Sequence, residues 1–120
     1  MENAGGHLVA KHVSMTNQEL IKRAIQEGVD ATTFYSKSHA TLAIQQNIRN
    51  NADEIIKWLN DSNSKVTTVF EFTHQYSIGK GAAEATKKIV DNLYTSRVVL
   101  VKDQSMEYGF RILTGFPIIK

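Results

Sequence analysis

The hydrophobic pattern changes its period once along the chain, and this change restricts the fold more than any other feature. Before residue 60 the apolar residues recur at helical spacing, for example Leu42, Ile44, Ile48, Ile55, Ile56 and Leu59. After the polar residues 60–64 the period becomes two. This period predicts a strand with Val66, Thr68, Phe70 and Phe72 on one face. Helices first and strands second predict an α+β domain whose N-terminal helices pack on a twisted antiparallel sheet.

The first half contains several signals for helix ends. Residues 16–19, TNQE, form a capping box in which the Thr16 hydroxyl and the Glu19 carboxylate each accept from the other's backbone N–H. Gly28 is a suitable residue to end that helix. Ahead of it, residues 8–12 predict a short helix with Leu8 and His12 on one face.

The next segment is predicted as a connector followed by a long helix. Residues 31–38, ATTFYSKS, read as an extended connector rich in β-formers and hydroxyl groups. Ser38 is the expected cap of the long helix that follows. That helix is expected to break near Asn51, since Asn51 with Glu54 three residues later is a second N-terminal signature.

In the second half, residues 96–103 and 108–119 predict two more strands around a turn-like segment. Residues 79–94 are ambiguous, because helical spacing there follows a pair of glycines. We expect residues 1–120 to form a single domain, with a helical half at about residues 7–60 and a mainly β half at about residues 65–119.

Composition narrows the class of protein. A chain of 120 residues can bury one core but not two, and the absence of cysteine excludes disulfides and thiolate metal sites. The net charge of +2 permits a nucleic-acid partner without arguing for one. The apolar runs are too short for a membrane-spanning segment, and no signal peptide is evident.

Most motifs that could carry chemistry are weak. No metal-ligand spacing occurs around His39 or His74, so we expect no metal and no cofactor. Residues 79–85, GKGAAEA, resemble a phosphate-binding loop but lack its glycine–lysine–hydroxyl spacing. Trp58, at helical spacing from Ile55, is assigned to the core rather than to a base-stacking platform.

His12 and Arg23 are the strongest candidates for a site. A histidine can accept and return a proton near neutral pH, and an arginine offers a fork of donors to phosphate oxygens. Together they suit RNA cleavage, in which the 2′-hydroxyl attacks its own phosphorus and no metal is required. From composition and spacing alone, a helix-end histidine and a surface arginine are the favoured interpretation.

An ordered set of motifs resembles the RNase A-like C-terminal toxin domains of contact-dependent growth inhibition effectors. The set comprises GGHLVAKHV at residues 5–13, an arginine eleven residues after the second histidine, ATTFYSKSHAT, WL, RVVLV and RILTGFP, and it extends from residue 5 to residue 117. The resemblance implies a fold like pancreatic ribonuclease without its disulfides. It also implies a toxin carried at the C-terminal end of a large secreted surface protein, which degrades RNA in the cytoplasm of a neighbouring bacterium.

Position by position, the resemblance gives roles to five residues. His12 matches the catalytic histidine, Arg23 the catalytic arginine, and Thr114 the threonine of a closing threonine-x-tyrosine-proline motif. Phe116 replaces the tyrosine of that motif and so removes a hydroxyl. His7 is interpreted as a structural or substrate-positioning residue, because on a helix it would face away from His12.

The resemblance also implies partners and leaves alternatives open. The expected partners are an RNA substrate and a cognate immunity protein, with the chain a monomer or a heterodimer with that protein. One alternative is a catalytically silent domain that binds RNA or protein, with Phe116 as the mark of lost chemistry. Another is a nuclease restricted to particular tRNAs.

Overall fold

The computed structural model describes residues 13–120, so the helix expected at residues 8–12 lies outside the described residues. The described part contains three helices and six strands. In chain order these are α1 (Asn17–Glu27), β1 (Ala31–Phe34), α2 (Lys37–Asn50), α3 (Ala52–Asn60), β2 (Thr67–Thr73), β3 (Gly79–Ala82), β4 (Ile89–Leu93), β5 (Thr95–Lys102) and β6 (Phe110–Ile118). No helix within residues 13–120 is long and apolar enough to cross a membrane.

The strands form two antiparallel sheets of three strands rather than one sheet. The first sheet has the order β1-β3-β4 and the second the order β2-β5-β6. Strand β1 joins the two, because the Thr32 hydroxyl donates to the Pro117 carbonyl oxygen at the end of β6. The α+β prediction is therefore confirmed, with the sheet divided in two.

Each sheet has its own helical cover. Leu20 and Ala24 of α1 are fully buried with Ala31 and Ala82 of the first sheet. Helices α2 and α3 cover the second sheet, and the main core there contains Phe34, Ala40, Ala43, Ile44, Ile55, Trp58, Ile78, Val98 and Leu100. Trp58 is in the core, as predicted, and its Nε1–H donates to the Lys65 carbonyl oxygen at 2.7 Å.

The helix ends agree with the sequence in two of three cases. Both hydrogen bonds of the Thr16–Glu19 capping box are present, and Gly28 adopts the left-handed conformation at φ 65° that ends α1. The cap of α2 is Ser36, not Ser38: the Ser36 hydroxyl accepts from the His39 N–H at 3.1 Å. The chain leaves β1 at Phe34 and turns at once, so Ser38 already lies inside the helix.

Asn51 separates α2 from α3, where the break was expected. It precedes Ala52, but its side chain makes no capping hydrogen bond to α3. Instead the Asn51 amide donates back to Asn47 and across to the Glu71 carbonyl oxygen. The amide thus ties the break between the two helices to strand β2.

Two expectations about strands were wrong, and the structure assigns one segment that the sequence left ambiguous. The segment 31–38 is not only a connector, because Ala31–Phe34 is a buried strand paired with β3. Residues 79–94 contain two strands and a turn instead of a helix. Val66 lies just outside β2 and is 60% exposed, so it does not share the half-buried face with Phe70 and Phe72.

Close packing against β1 explains why β3 forms where a phosphate loop was considered. A Cβ atom at Gly79 would overlap the Thr33 carbonyl oxygen, and one at Gly81 would lie 2.8 Å from Thr32 Cγ2. The two glycines allow this approach of neighbouring chains and do not form a loop before a helix.

Candidate active site

Strand β6 presents Thr114 and Phe116 on the face of the second sheet that points away from α2. Between them, Gly115 pairs with the buried Val98, and a Cβ atom at Gly115 would lie 3.0 Å from Ile44 Cδ1 of α2. Because side chains alternate along a strand, Thr114 and Phe116 must face the opposite side. Both side chains are half-buried there.

The cross-strand neighbours of these two residues are set by the register of β5. Val99 lies opposite Thr114, and Arg97 lies opposite Phe116. Side chains directly opposite each other on one face are in contact range, and diagonal neighbours are within reach of long side chains. Arg97 is therefore adjacent to Phe116 and within reach of Thr114.

Arg97 is held by an acidic residue from β2. Glu71 pairs with Arg97 across the strands, and its Oε2 accepts from Arg97 Nε at 2.9 Å and from Arg97 Nη2. Lys120 Nζ lies 3.6 Å from the other oxygen, Oε1. The hydrogen bond from Arg97 is the largest cause that lowers the pKa of Glu71, so this carboxylate remains charged near neutral pH.

A cleft of about 240 Å³ lies between the end of β6 and the start of β1. Its walls combine the Arg97 and Phe116 side chains with Asp30, Thr32, Pro117, Ile118 and Ile119. The lining therefore combines a cationic side chain, an aromatic ring and a carboxylate. A guanidinium and an aromatic ring are groups that bind the phosphate and the base of a nucleotide.

Arg23 lies in the other layer, on α1. Its Nε donates to Glu27 Oε1 at 3.3 Å, its Nη1 lies 3.9 Å from Met15 Sδ, and its side chain is 21% exposed. The Met15 N–H donates to the Thr33 hydroxyl at 3.1 Å. These contacts hold the guanidinium beside the start of the described chain, where Val13 forms a bridge with Phe34 of β1.

The predicted site residues are thus only partly brought together. Thr114 and Phe116 share one face, whereas Arg23 belongs to the helix that covers the first sheet. His7 and His12 lie outside the described residues. Arg97 and Glu71 were missed: Arg97 begins the RVVLV motif, but the position of both residues beside Phe116 depends on the strand register, which the motif itself does not show.

The histidines that the structure describes take other positions. His74 is 4% exposed and hydrogen-bonds to Gln46 and to Ser96, a buried residue next to Asn47 of α2. His39 Nδ1 lies 2.7 Å from the Ser36 hydroxyl at the start of α2. Within residues 13–120, no group of three or more histidine, aspartate or glutamate side chains is arranged to hold a metal ion.

Comparisons with known proteins agree with this fold. Residues 6–117 match the sequence-family model described as the bacterial CdiA-CT RNase A domain. The fold is similar to a chain in the crystal structure of a CdiA-CT/CdiI complex from Y. kristensenii 33638, with a TM-score of 0.87 and 25% sequence identity. That similarity covers 94% of this chain and 99% of the other. No curated protein sequence matches the chain.

Proposed function

Because this chain belongs to the family of bacterial CdiA-CT RNase A domains, we propose that it cleaves RNA without a metal ion and acts as a toxin in neighbouring bacteria. The match over residues 6–117 carries the proposal, since it contains every residue to which we give a role. In this function the chain is the C-terminal part of a large surface effector, and its target is RNA in the recipient cytoplasm.

The proposed reaction is an internal transphosphorylation. His12 accepts the proton of the 2′-hydroxyl, and the 2′-oxygen forms a bond to phosphorus while the bond from phosphorus to the 5′-oxygen breaks. The leaving 5′-oxygen takes up a proton, and the products are a 2′,3′-cyclic phosphate and a 5′-hydroxyl. Arg23 and the Thr114 hydroxyl stabilise the negative charge that develops on the phosphoryl oxygens.

Two observations support these roles. The Arg23 guanidinium is held between Glu27 and Met15 rather than extended into solvent, which is the preorganisation that charge stabilisation requires. Thr114 is half-buried on the face of the second sheet that points away from α2. A hydroxyl in that position is a neutral donor for a phosphoryl oxygen.

The test is incubation of the purified chain with total RNA in the presence of a chelator. We expect cyclic-phosphate fragments from the wild type and none from His12→Ala or Arg23→Ala. Lys22→Ala is the matched control for Arg23, because it removes an exposed positive charge from the adjacent position of α1. Loss of cleavage on chelation would overturn metal independence, and a large fall in Tm for either active-site variant would make that residue structural.

Phe116 favours a second candidate function. The replacement of the family tyrosine removes a donor, so the alternative is a catalytically silent domain that binds RNA or a partner protein. Intact RNA at high protein concentration, together with a shift of RNA in a native gel, would favour this alternative. Cleavage confined to a few tRNA species would favour a restricted nuclease.

The proposed partner is a cognate immunity protein, as the complex with CdiI suggests for the structural neighbour. We expect it to cover the cleft with acidic side chains, since a site for phosphate presents positive potential that can steer its approach. The association rate should then fall steeply with added salt. Binding at a remote face that leaves RNA cleavage unaffected would contradict this arrangement.

A further inference from the structure

We propose that Arg97 binds a backbone phosphate of the RNA beside the nucleotide that contacts Phe116. The proposal rests on the proposed function, because it assigns a further residue to the same RNA-binding face. Arg97 has no place in the closing family motif, and its position follows from the register that sets it opposite Phe116. It lines the same cleft as Phe116, with 39% of its side chain exposed.

The hydrogen bonds of Arg97 leave donors for a ligand. A guanidinium has five N–H groups in a fixed plane. Two of its nitrogens, Nε and Nη2, donate to the same oxygen of Glu71. Among residues 13–120 no acceptor is hydrogen-bonded to Nη1. The edge of the guanidinium away from Glu71 can therefore donate two parallel hydrogen bonds, the arrangement that phosphate oxygens accept best.

Glu71 holds this edge in place. A long arginine side chain loses conformational freedom when it binds a ligand, and the contact with Glu71 removes part of that loss beforehand. Glu71 carries one negative charge, whereas Arg97 and Lys120, which both contact it, carry two positive ones. The cluster therefore keeps a net positive charge on this wall of the cleft.

A carboxylate at the β1 end of the cleft favours one orientation of the ligand. Asp30 lines the cleft there, and its Oδ1 accepts from the Glu84 N–H at 2.8 Å. The Asp30 carboxylate would repel the negatively charged phosphate of the RNA, so the phosphate is expected beside Arg97. A base, which has amino and imino donors, is the part of a nucleotide that suits the side of Asp30 and Thr32.

The alternative is that Arg97 and Glu71 form only a cross-strand ion pair that stabilises the sheet. Arg111 provides a matched control for this role. It lies on β6 of the same sheet, donates from Nε to Asp103 Oδ2 at 3.0 Å, and has 42% of its side chain exposed. It does not line the cleft. Substitution of either arginine removes one positive charge and one ion pair from the sheet.

The experiment measures binding of a 2′-O-methyl oligoribonucleotide, which cannot be cleaved, at several salt concentrations. For Arg97→Gln we expect binding about tenfold weaker at low salt. The plot of log affinity against log salt concentration should be less steep, by the amount that about one phosphate contact contributes. Arg97→Lys should keep the slope but recover only part of the affinity, because lysine lacks the planar fork. Arg111→Gln should change neither quantity.

Cleavage kinetics provide the second readout. We expect Arg97→Gln to raise KM with kcat within about twofold of the wild type, as for a group that binds ground state and transition state alike. Wild-type affinity and slope in Arg97→Gln would overturn the proposal, as would a loss confined to kcat. If the wild type binds RNA but does not cleave it, the nuclease function fails while the binding assay still decides the role of Arg97. If the wild type does not bind RNA at all, both proposals fail.

Discussion

His74 is a buried titratable side chain whose hydrogen bonds define its protonation state. The Gln46 Oε1 atom accepts from the Tyr76 hydroxyl and lies 2.8 Å from His74 Nδ1, so Nδ1 carries the proton. Asn47 donates to the Ser96 hydroxyl, which in turn can donate to His74 Nε2 at 2.8 Å. Burial lowers the pKa of His74 below its ordinary value of 6.5, and the network suits the neutral ring.

The first prediction concerns the pH dependence that follows. Well above pH 6.5 His74 is neutral in both the folded and the unfolded chain and adds no pH dependence. Below pH 6.5 the unfolded chain takes up the proton first, so the free energy of unfolding falls as the pH falls toward the lowered pKa of the folded state. Urea titrations between pH 7.5 and 5 should show this loss in the wild type.

His74→Gln is the variant that isolates this effect. It should be less stable at pH 7.5 by about 1–3 kcal/mol, because buried partners lose hydrogen bonds. The difference in unfolding free energy between the variant and the wild type should narrow as the pH falls to 5. The lowered pKa of Glu71 acts in a separate window below 4.5. A gap that stays constant from pH 7.5 to 5 would contradict the prediction.

Phe116 carries the second prediction. Its ring shares a face with Thr114 and lines the cleft, where it can offer an apolar surface to a nucleobase. Phe116→Ala should weaken binding of single-stranded RNA by about 1–3 kcal/mol and slow the chemical step less. Phe116→Tyr should be tolerated and raise the cleavage rate, because it restores a donor at small steric cost. An inactive wild type that becomes a nuclease on Phe116→Tyr would support the silent domain instead.

Part of the site could be predicted from single residues, and part could not. The residue types of Arg23 and Thr114 indicate phosphate chemistry, and the resemblance gave their positions. Arg97 could not be identified in the same way, because it stands in an apolar run typical of a buried strand. Its relation to Phe116 exists only through pairing of residues far apart in sequence.

At the scale of the elements, β3 packs closely against β1 because its residues Gly79 and Gly81 have no side chains. At Gly79 an added methyl group would overlap the Thr33 carbonyl oxygen and lie 2.9 Å from Pro117 Cγ. At Gly115 the nearest atom is Ile44 Cδ1 at 3.0 Å, the end of a side chain that can adjust. The two glycines therefore differ in what a substitution would displace.

The third prediction compares these two positions. Gly79→Ala should destabilise the fold by about 3 kcal/mol or more, since the backbone of β1 or β3 must shift. Gly115→Ala should cost no more than about 1–2 kcal/mol, because the Ile44 side chain can change its rotamer. Chemical denaturation of both variants at one pH gives the comparison. Equal losses would show that the contact between β1 and β3 is softer than its geometry indicates.

Elements with local signals were predictable, and those defined by partners were not. The ends of α1 follow from the capping box and Gly28, which act within the helix. Strand β4 was obscured because residues 83–94 have helical spacing, yet residues 89 to 93 pair with β3. The helical propensity of this segment was overridden by tertiary pairing with β3.

At the scale of the whole molecule, one core connects the two sheets. Phe34 and Ile78 adjoin the first sheet, while Val98 and Leu100 belong to the second, and all four lie in the same buried cluster. Strand β4 continues into β5 through Tyr94 alone. The sheets therefore share their interior as well as the contact between β1 and β6.

The fourth prediction is that residues 1–120 unfold as a single unit. Since neither sheet can lose its packing without exposing the other's core, calorimetry should give one transition. The ratio of calorimetric to van't Hoff enthalpy should be close to one. Circular dichroism and tryptophan fluorescence should give the same midpoint, because Trp58 reports on the shared core. Two separated transitions would mean that the sheets belong to independent units.

The order β2-β5-β6 has a consequence for the protein at high concentration. In the part of the chain that the structure describes, β2 pairs on one side only, and its Val69 is 52% exposed. Such an edge is a template for intermolecular strand pairing and aggregation. Glu71 places a charge near the centre of this strand, and the Asn51 amide already occupies the Glu71 carbonyl oxygen, which points away from β5. The side chain that holds Arg97 thus also keeps the sheet from growing into a second molecule.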